Sequence, residues 1–254
     1  MITMAEQRRD AVIDVREIPP IGHAEAMRLA ESECERMLDL VRRLEVTDWG
    51  QPTDCTEWSV REIVVHQLGE AAAVASIREM VHQFRAARRL PKTMITVDRL
   101  NAVGVEERRH LSADQLPELL TPALGRALRA RRRVPALIRK IRFSVDNFGR
   151  VSYGYMNDIV LTRDSFIHRV DITRATGKWM AVTADHEGRL VADVVRDWAE
   201  HHGKGFSLRL GGPAGGLYQG GGGGEEIELD AIEFCRVLSG RAPGDGLLKT
   251  AVLF

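Results

Sequence analysis

Apolar residues recur at steps of three and four along most of the first 180 positions, a period that predicts amphipathic helices rather than strands. Between His23 and Leu44, the residues Met27, Ala30, Cys34, Met37, Leu38, Val41 and Leu44 fall on one side of a helix. The stretch DWGQPTDCTEW (48–58) then reads as a loop from its Asp, Gly and Pro content. A second helix is predicted from Ser59 to about Ala87, because Ser59 and Glu62 form an S-x-x-E capping box ahead of IVVHQL. Loop signals return near Pro91. A further capping pattern, SADQ at 112–115, introduces LPELLTPALGRALRARRRV, whose first turns Pro117 and Pro122 weaken. A fourth long helix spans about 152–176, with Gly177 placed to end it.

The pattern changes near residue 181. HEGRLVADVVRDWAEHHG (186–203) is one amphipathic helix closed by Gly203. FSLRL and EIELD read as short strands separated by the glycines at 220–224, taken as a hairpin tip. DAIEFCRVLSGR is a short helix with Asp230 as N-cap and Gly240 past its end. The expected fold class is therefore α+β, with four long helices in a bundle followed by a small α/β domain. The expected divisions are a loose arm at 1–20 ending in Pro19 and Pro20, the helical bundle at 21–180, and the α/β domain at 181–254.

Composition narrows the function. Lys plus Arg and Asp plus Glu number 36 each in 254 residues, so the net charge is zero. That balance argues against a dedicated nucleic-acid or acidic-membrane binder. No apolar run reaches the length of a membrane span. The N-terminal stretch lacks the apolar centre of a signal peptide, and the cytoplasm is expected. Cys34, Cys55 and Cys235 are too few and too scattered for a disulfide framework or a C-x-x-C metal motif. The arginine cluster between Arg126 and Arg142 reads as a solvated basic helix face. No nucleic-acid or membrane partner is expected; monomer and homodimer both remain open.

The candidate chemistry lies in LTRDSFIHRVDIT (161–173). Asp164, His168 and Asp171 stand four and three apart, on one stripe of a helix that is apolar on two sides. Burying such groups is costly unless something pairs with them. His66 poses the same problem on the second helix, among Ile63, Gly69, Ala73, Ile77, Met80 and Val81. Two bundle helices can thus send His66, Asp164 and His168 inward, where bundles build metal sites. Three protein ligands would leave a fourth position open, as in catalytic zinc sites; nickel or iron would also suit the set. The plain alternative is a pair of hydrogen-bonded core histidines. Asp171 could take the other ring N–H of His168 or pair with Arg174. Glu70, four after His66, could support a ligand or accept a proton, or be a peripheral charge. The glycine run lacks the Lys and Ser/Thr of a phosphate loop, and no nucleophile elbow is present.

Three segments, DWGQPTDCTEWSVREIVVHQLGE, LTRDSFIHRVDITRATG and FCRVLSGRAPGDGLLKTAVLF, resemble the mycothiol-dependent maleylpyruvate isomerase family. That family belongs to the DinB-like four-helix-bundle metalloenzymes. The resemblance runs from about residue 25 to the end. It implies a divalent metal, usually zinc, held by His66, Asp164 and His168, with Asp164 standing where the characterised isomerase has Glu. It also implies a sterol-carrier-like C-terminal domain contributing an arginine to activity, for which Arg241 in LSGR is the candidate. The implied cosubstrate is mycothiol, a low-molecular-weight thiol, acting on a small electrophile by isomerisation or S-transfer. The rival readings are a zinc-dependent hydrolase using metal-bound water and a non-catalytic small-ligand-binding protein.

Overall fold

The computed structural model describes residues 11–254. They form two compact units. One is residues 22–180; the other joins residues 181–254 to the stretch before residue 22, which carries strand β1 (Val12–Asp14).

The first unit is helical. Its long helices are α1 (His23–Arg42), α2 (Val60–Ala75), α5 (Leu116–Arg132) and α6 (Leu161–Thr176), with the shorter α3 (Ile77–Ala87) and α4 (Thr96–Glu106) between α2 and α5. Both α1 and α2 pack against α5 and α6. The apolar stripes read from the sequence meet there: Met37, Leu40 and Val41 join Ile63, Val64, Leu68, Leu116, Leu120 and Ile172 in one buried cluster. Pro117 lies in the first turn of α5, where no N–H is needed.

The single helix predicted over 59–87 is broken at Ser76, whose backbone is extended (φ −144°, ψ 116°). Its N–H closes α2 on the Ala73 carbonyl, and its Oγ accepts the Glu79 N–H to start α3. A serine can offer this local alternative to the helical ladder. Ile77, Met80 and Val81 therefore leave the His66 face; Ile77 is 78% exposed. α4 was not foreseen either. It crosses α2 where Gly69 meets Gly104, with a Cβ on Gly69 reaching within 3.1 Å of the Gly104 Cα.

The basic cluster is not one helical face. α5 ends at Arg132; after a short turn the chain forms an antiparallel hairpin, β2 (Arg142–Val145) and β3 (Gly149–Ser152), turned at Asn147 with φ 66°. Asparagine tolerates that left-handed geometry. Arg131 is buried, donating to the Asn157 carbonyl and to Thr162 Oγ1, each at 2.8 Å. The chain from Tyr153 to Thr176 is continuously helical, with a π-type turn at Met156–Val160. Gly177 closes it with φ 67°, as predicted.

The second unit contains α7 (Arg189–His202), β4 (Phe206–Gly211), β5 (Gly216–Gly220), β6 (Glu225–Asp230) and α8 (Ala231–Leu238). The sheet order is β1-β5-β4-β6, with β4 antiparallel to β5 and parallel to β6. Phe206, Leu208 and Leu210 alternate inward, and the fully buried Trp198 of α7 meets Phe206 and Phe234 edge-on. β5 escapes a sequence reading because glycine frames it on both sides. The glycine run is a crossover from β5 to β6 past β4 rather than a hairpin tip. It passes so close to Gly205 that a Cβ on Gly224 would overlap the Gly205 carbonyl oxygen. The expected loose arm is, from residue 12 to residue 17, a strand paired with β5 and a 3-10 turn; its first ten positions lie outside the described residues. Paired backbone and the burial of Val15 and Ile18 hold this stretch in place.

Candidate metal centre

Capping fixes the start of α2. The Glu62 carboxylate accepts from the Ser59 N–H at 2.8 Å and from Ser59 Oγ at 2.9 Å, completing the predicted box. Two turns later His66 faces α6. There Asp164, His168 and Asp171 form the stripe that their spacing requires. His66 Nε2 lies 3.3 Å from Asp164 Oδ2, and His168 Nε2 lies 3.5 Å from Asp164 Oδ1. One donor atom from each of the three residues lies within 4.8 Å of the other two. Ligands about 2.0–2.1 Å from a tetrahedral zinc stand roughly 3.3 Å apart, so donors within 4.8 Å of one another are close enough to converge on one ion.

The surrounding groups orient these donors. Asp171, fully buried, accepts from His168 Nδ1 at 3.0 Å, which turns the Nε2 edge of the ring toward Asp164. Gln67 donates to Asp164 Oδ2 at 2.6 Å. The Trp58 ring covers both imidazoles, at 4.8 Å from His66 and 5.7 Å from His168 between centroids. Neither Gln67 nor Trp58 was singled out in the sequence. The available signals were a glutamine inside the apolar run VVHQL and an aromatic just before the N-cap, a position that favours apolar side chains.

The electrostatics suit a cation. Burial alone would raise the Asp164 carboxyl, but His168 and His66 overcome it and hold it well below the usual range. Burial pulls His168 down, and Asp164 with Asp171 more than offsets it, raising the imidazole to about 9 in the ion-free form. Glu70 is not peripheral. It lines a cavity of about 30 Å³ with Cys34, Gln67, Arg131 and Ser165. Burial first, and the Asp164 charge second, push its carboxyl well above the usual range. Burial also lifts the Cys34 thiol to about 11, which keeps it protonated. Arg241 lies in the other unit, just past α8, its N–H bonded to the Arg236 carbonyl at 2.9 Å. Among the described residues, no helix is long and apolar enough to cross a membrane.

Comparison with known proteins sets these features in a family. No curated protein matches the chain. Two solved structures do, each over 91% of this chain and 93% of their own, at 15% identity. They are the mycothiol-dependent maleylpyruvate isomerase, with a TM-score of 0.58, and a histidine-to-alanine mutant of that enzyme, with a TM-score of 0.57. At that identity the likeness establishes a shared α+β fold. The family described as "Mycothiol maleylpyruvate isomerase N-terminal domain" matches residues 30–173, more than half of the chain and both helices that carry the donor triangle. The chain therefore belongs to the mycothiol maleylpyruvate isomerase N-terminal domain family.

Proposed function

We propose that this protein is a metal-dependent thiol enzyme in which His66, Asp164 and His168 hold a divalent cation, zinc by preference, and mycothiol is the cosubstrate. The supporting observation is the donor triangle itself: two buried histidines and a half-buried aspartate from two helices, their donor atoms within 4.8 Å of one another. A bound zinc would acidify a coordinating thiol to its thiolate near neutral pH.

The chain's own residues prepare the site. Asp171 fixes the tautomer and tilt of His168, and Gln67 pins one oxygen of Asp164. Trp58 shields the imidazoles on one side. Glu70, its carboxyl raised by burial and by the Asp164 charge, is placed to hold and return a proton. Arg241 is a proposed catalytic contributor on residue type. The thiolate adds to a conjugated double bond of a small electrophile, forming a C–S bond as the π pair moves onto the conjugated carbonyl. Rotation about the new single bond and expulsion of the thiolate give the isomer; release of the adduct after protonation gives S-transfer.

Metal analysis of untagged protein, with turnover of maleylpyruvate in the presence and absence of mycothiol, tests the reading. Near-stoichiometric metal, its loss in His66→Ala and His168→Ala, and thiol-dependent turnover are expected. Metal-bearing protein that turns over substrates without any thiol would point instead to hydrolysis by acidified water. Metal-free protein carrying a lipid or pigment would point to a binding role.

A further inference from the structure

The segment from Arg133 to Phe143 is unusual for a chain of zero net charge. Between Glu118 and Asp146 there is no acidic residue, while eight arginines and lysines occur. Past the end of α5, the chain exposes Leu137 (79%) and Ile138 on a single helical turn, then Ile141 (54%) and, in β2, Phe143. Solvent-facing aliphatic side chains in such a run are not explained by the fold around them. Cations are interleaved with them along the chain. Arg133, Lys140 and Arg142 make no ion pair among the described residues, and nor does Arg150 on the facing strand β3. The patch extends beyond this segment: Ile95 and Val97 flank Thr96, whose N–H donates to Asp146 at the hairpin turn at 2.7 Å. Two apolar segments therefore share one end of the helical unit.

We propose that this basic, aliphatic surface docks on an anionic phospholipid bilayer. The apolar side chains would enter the headgroup boundary, and the unpaired cations would sit among lipid phosphates and carboxylates. Charge complementarity decides between occupants. A symmetric dimer through the same patch would set these cations against their own copies. A single-stranded nucleic acid would need stacking platforms, and the patch offers one aromatic among aliphatics. The docking is a surface property, independent of the metal site.

The test is sedimentation of the full chain with phosphatidylcholine vesicles containing or lacking phosphatidylserine, at low and high salt. Binding only to the anionic vesicles, weakened by salt, is expected. Each cation near such a surface is worth about fivefold in affinity, so Lys140→Glu with Arg142→Glu should weaken binding by more than about 20-fold. Leu137→Ser with Ile141→Ser should also release the protein, and both double variants should keep the parent circular dichroism and metal content. No sedimentation of the parent, binding that the double variants leave intact, a dimer dissolved by Leu137→Ser and Ile141→Ser, or selective retention on single-stranded RNA would each overturn the proposal.

Discussion

A carboxylate set between two imidazoles inside a protein satisfies its own charge, so the same residues can be stable without an ion and ready for one. Variants separate the two roles. Asp164→Asn keeps the shape and the Gln67 neighbour but removes the charge; bound metal in purified protein should fall below one-tenth of the parent level. Asp171→Asn leaves all three donors in place but loses the acceptor that orients His168. Changes of this kind cost roughly 10–100-fold in metal affinity, readable by competition with a chromophoric chelator. A value equal to the parent's would remove Asp171 from the site. The pH dependence has opposite signs with and without the ion. The His168 imidazole is raised from 6.5 to about 9, so its ion pairing stabilises the metal-free protein fully below about pH 6.5 and is lost as the pH climbs through 9. A cation needs the same nitrogen deprotonated, so metal affinity rises over that interval. Thermal melts with chelator should decline from pH 6.5 to 9 while metal affinity, measured in parallel, increases. Two slopes of the same sign would exclude His168 as a ligand.

Helix ends and helix crossings decide where these side chains stand. The capping box at Ser59 and the glycine at 177 are legible because capping is local chemistry, and they bound the two helices, α2 and α6, on which His66, Asp164 and His168 stand. The break at Ser76 was not legible, since a serine in mid-helix is usually silent and only its side-chain bond to Glu79 reveals the cap. α4 was hidden for a different reason. Its sequence, TVDRLNAVGVE, carries β-branched residues and a glycine that weaken helix propensity, and it packs on both α2 and α3. That crossing yields an asymmetric prediction. A methyl on Gly69 would meet the backbone of Gly104 at 3.1 to 3.3 Å, whereas one on Gly104 would find its nearest neighbour at 3.8 Å. Gly69→Ala should destabilise by about 1–3 kcal/mol through overpacking, partly offset by helix propensity. Gly104→Ala should stabilise by roughly 0.5–1 kcal/mol, because only the propensity gain remains. Urea titrations of the two variants check the pair, and equal shifts of either sign would contradict the close approach. Since Gly69 sits one turn beyond His66, Gly69→Ala should also weaken metal retention.

At the scale of the whole chain, the division into two units does not follow chain order. Residues near the N-terminus belong with residues 181–254, because β1 runs parallel to β5 with Ile13 opposite Tyr218. A parallel pairing between distant segments leaves no local signature, and the three residues Val12, Ile13 and Asp14 are too short a run to announce a strand, so the sequence suggests only an arm. The consequence can be measured. Removing residues 1–20 strips the backbone partner from the edge of β5 and deletes Val15 and Ile18, both buried. Full burial of such a side chain is worth about 1.5–3 kcal/mol, an upper estimate because unfolded chains are already partly compact. The truncated protein should therefore lose several kcal/mol in the unit that holds the sheet. Amide hydrogens of β5 should exchange faster, and the bare edge should favour aggregation through strand pairing. The donor triangle lies wholly within residues 22–180, so metal per chain should stay at the parent level in the fraction that remains dissolved. Unchanged exchange in β5 would mean that the β1 pairing contributes nothing to the sheet. Loss of metal alongside faster exchange would mean that the two units do not keep their functions apart.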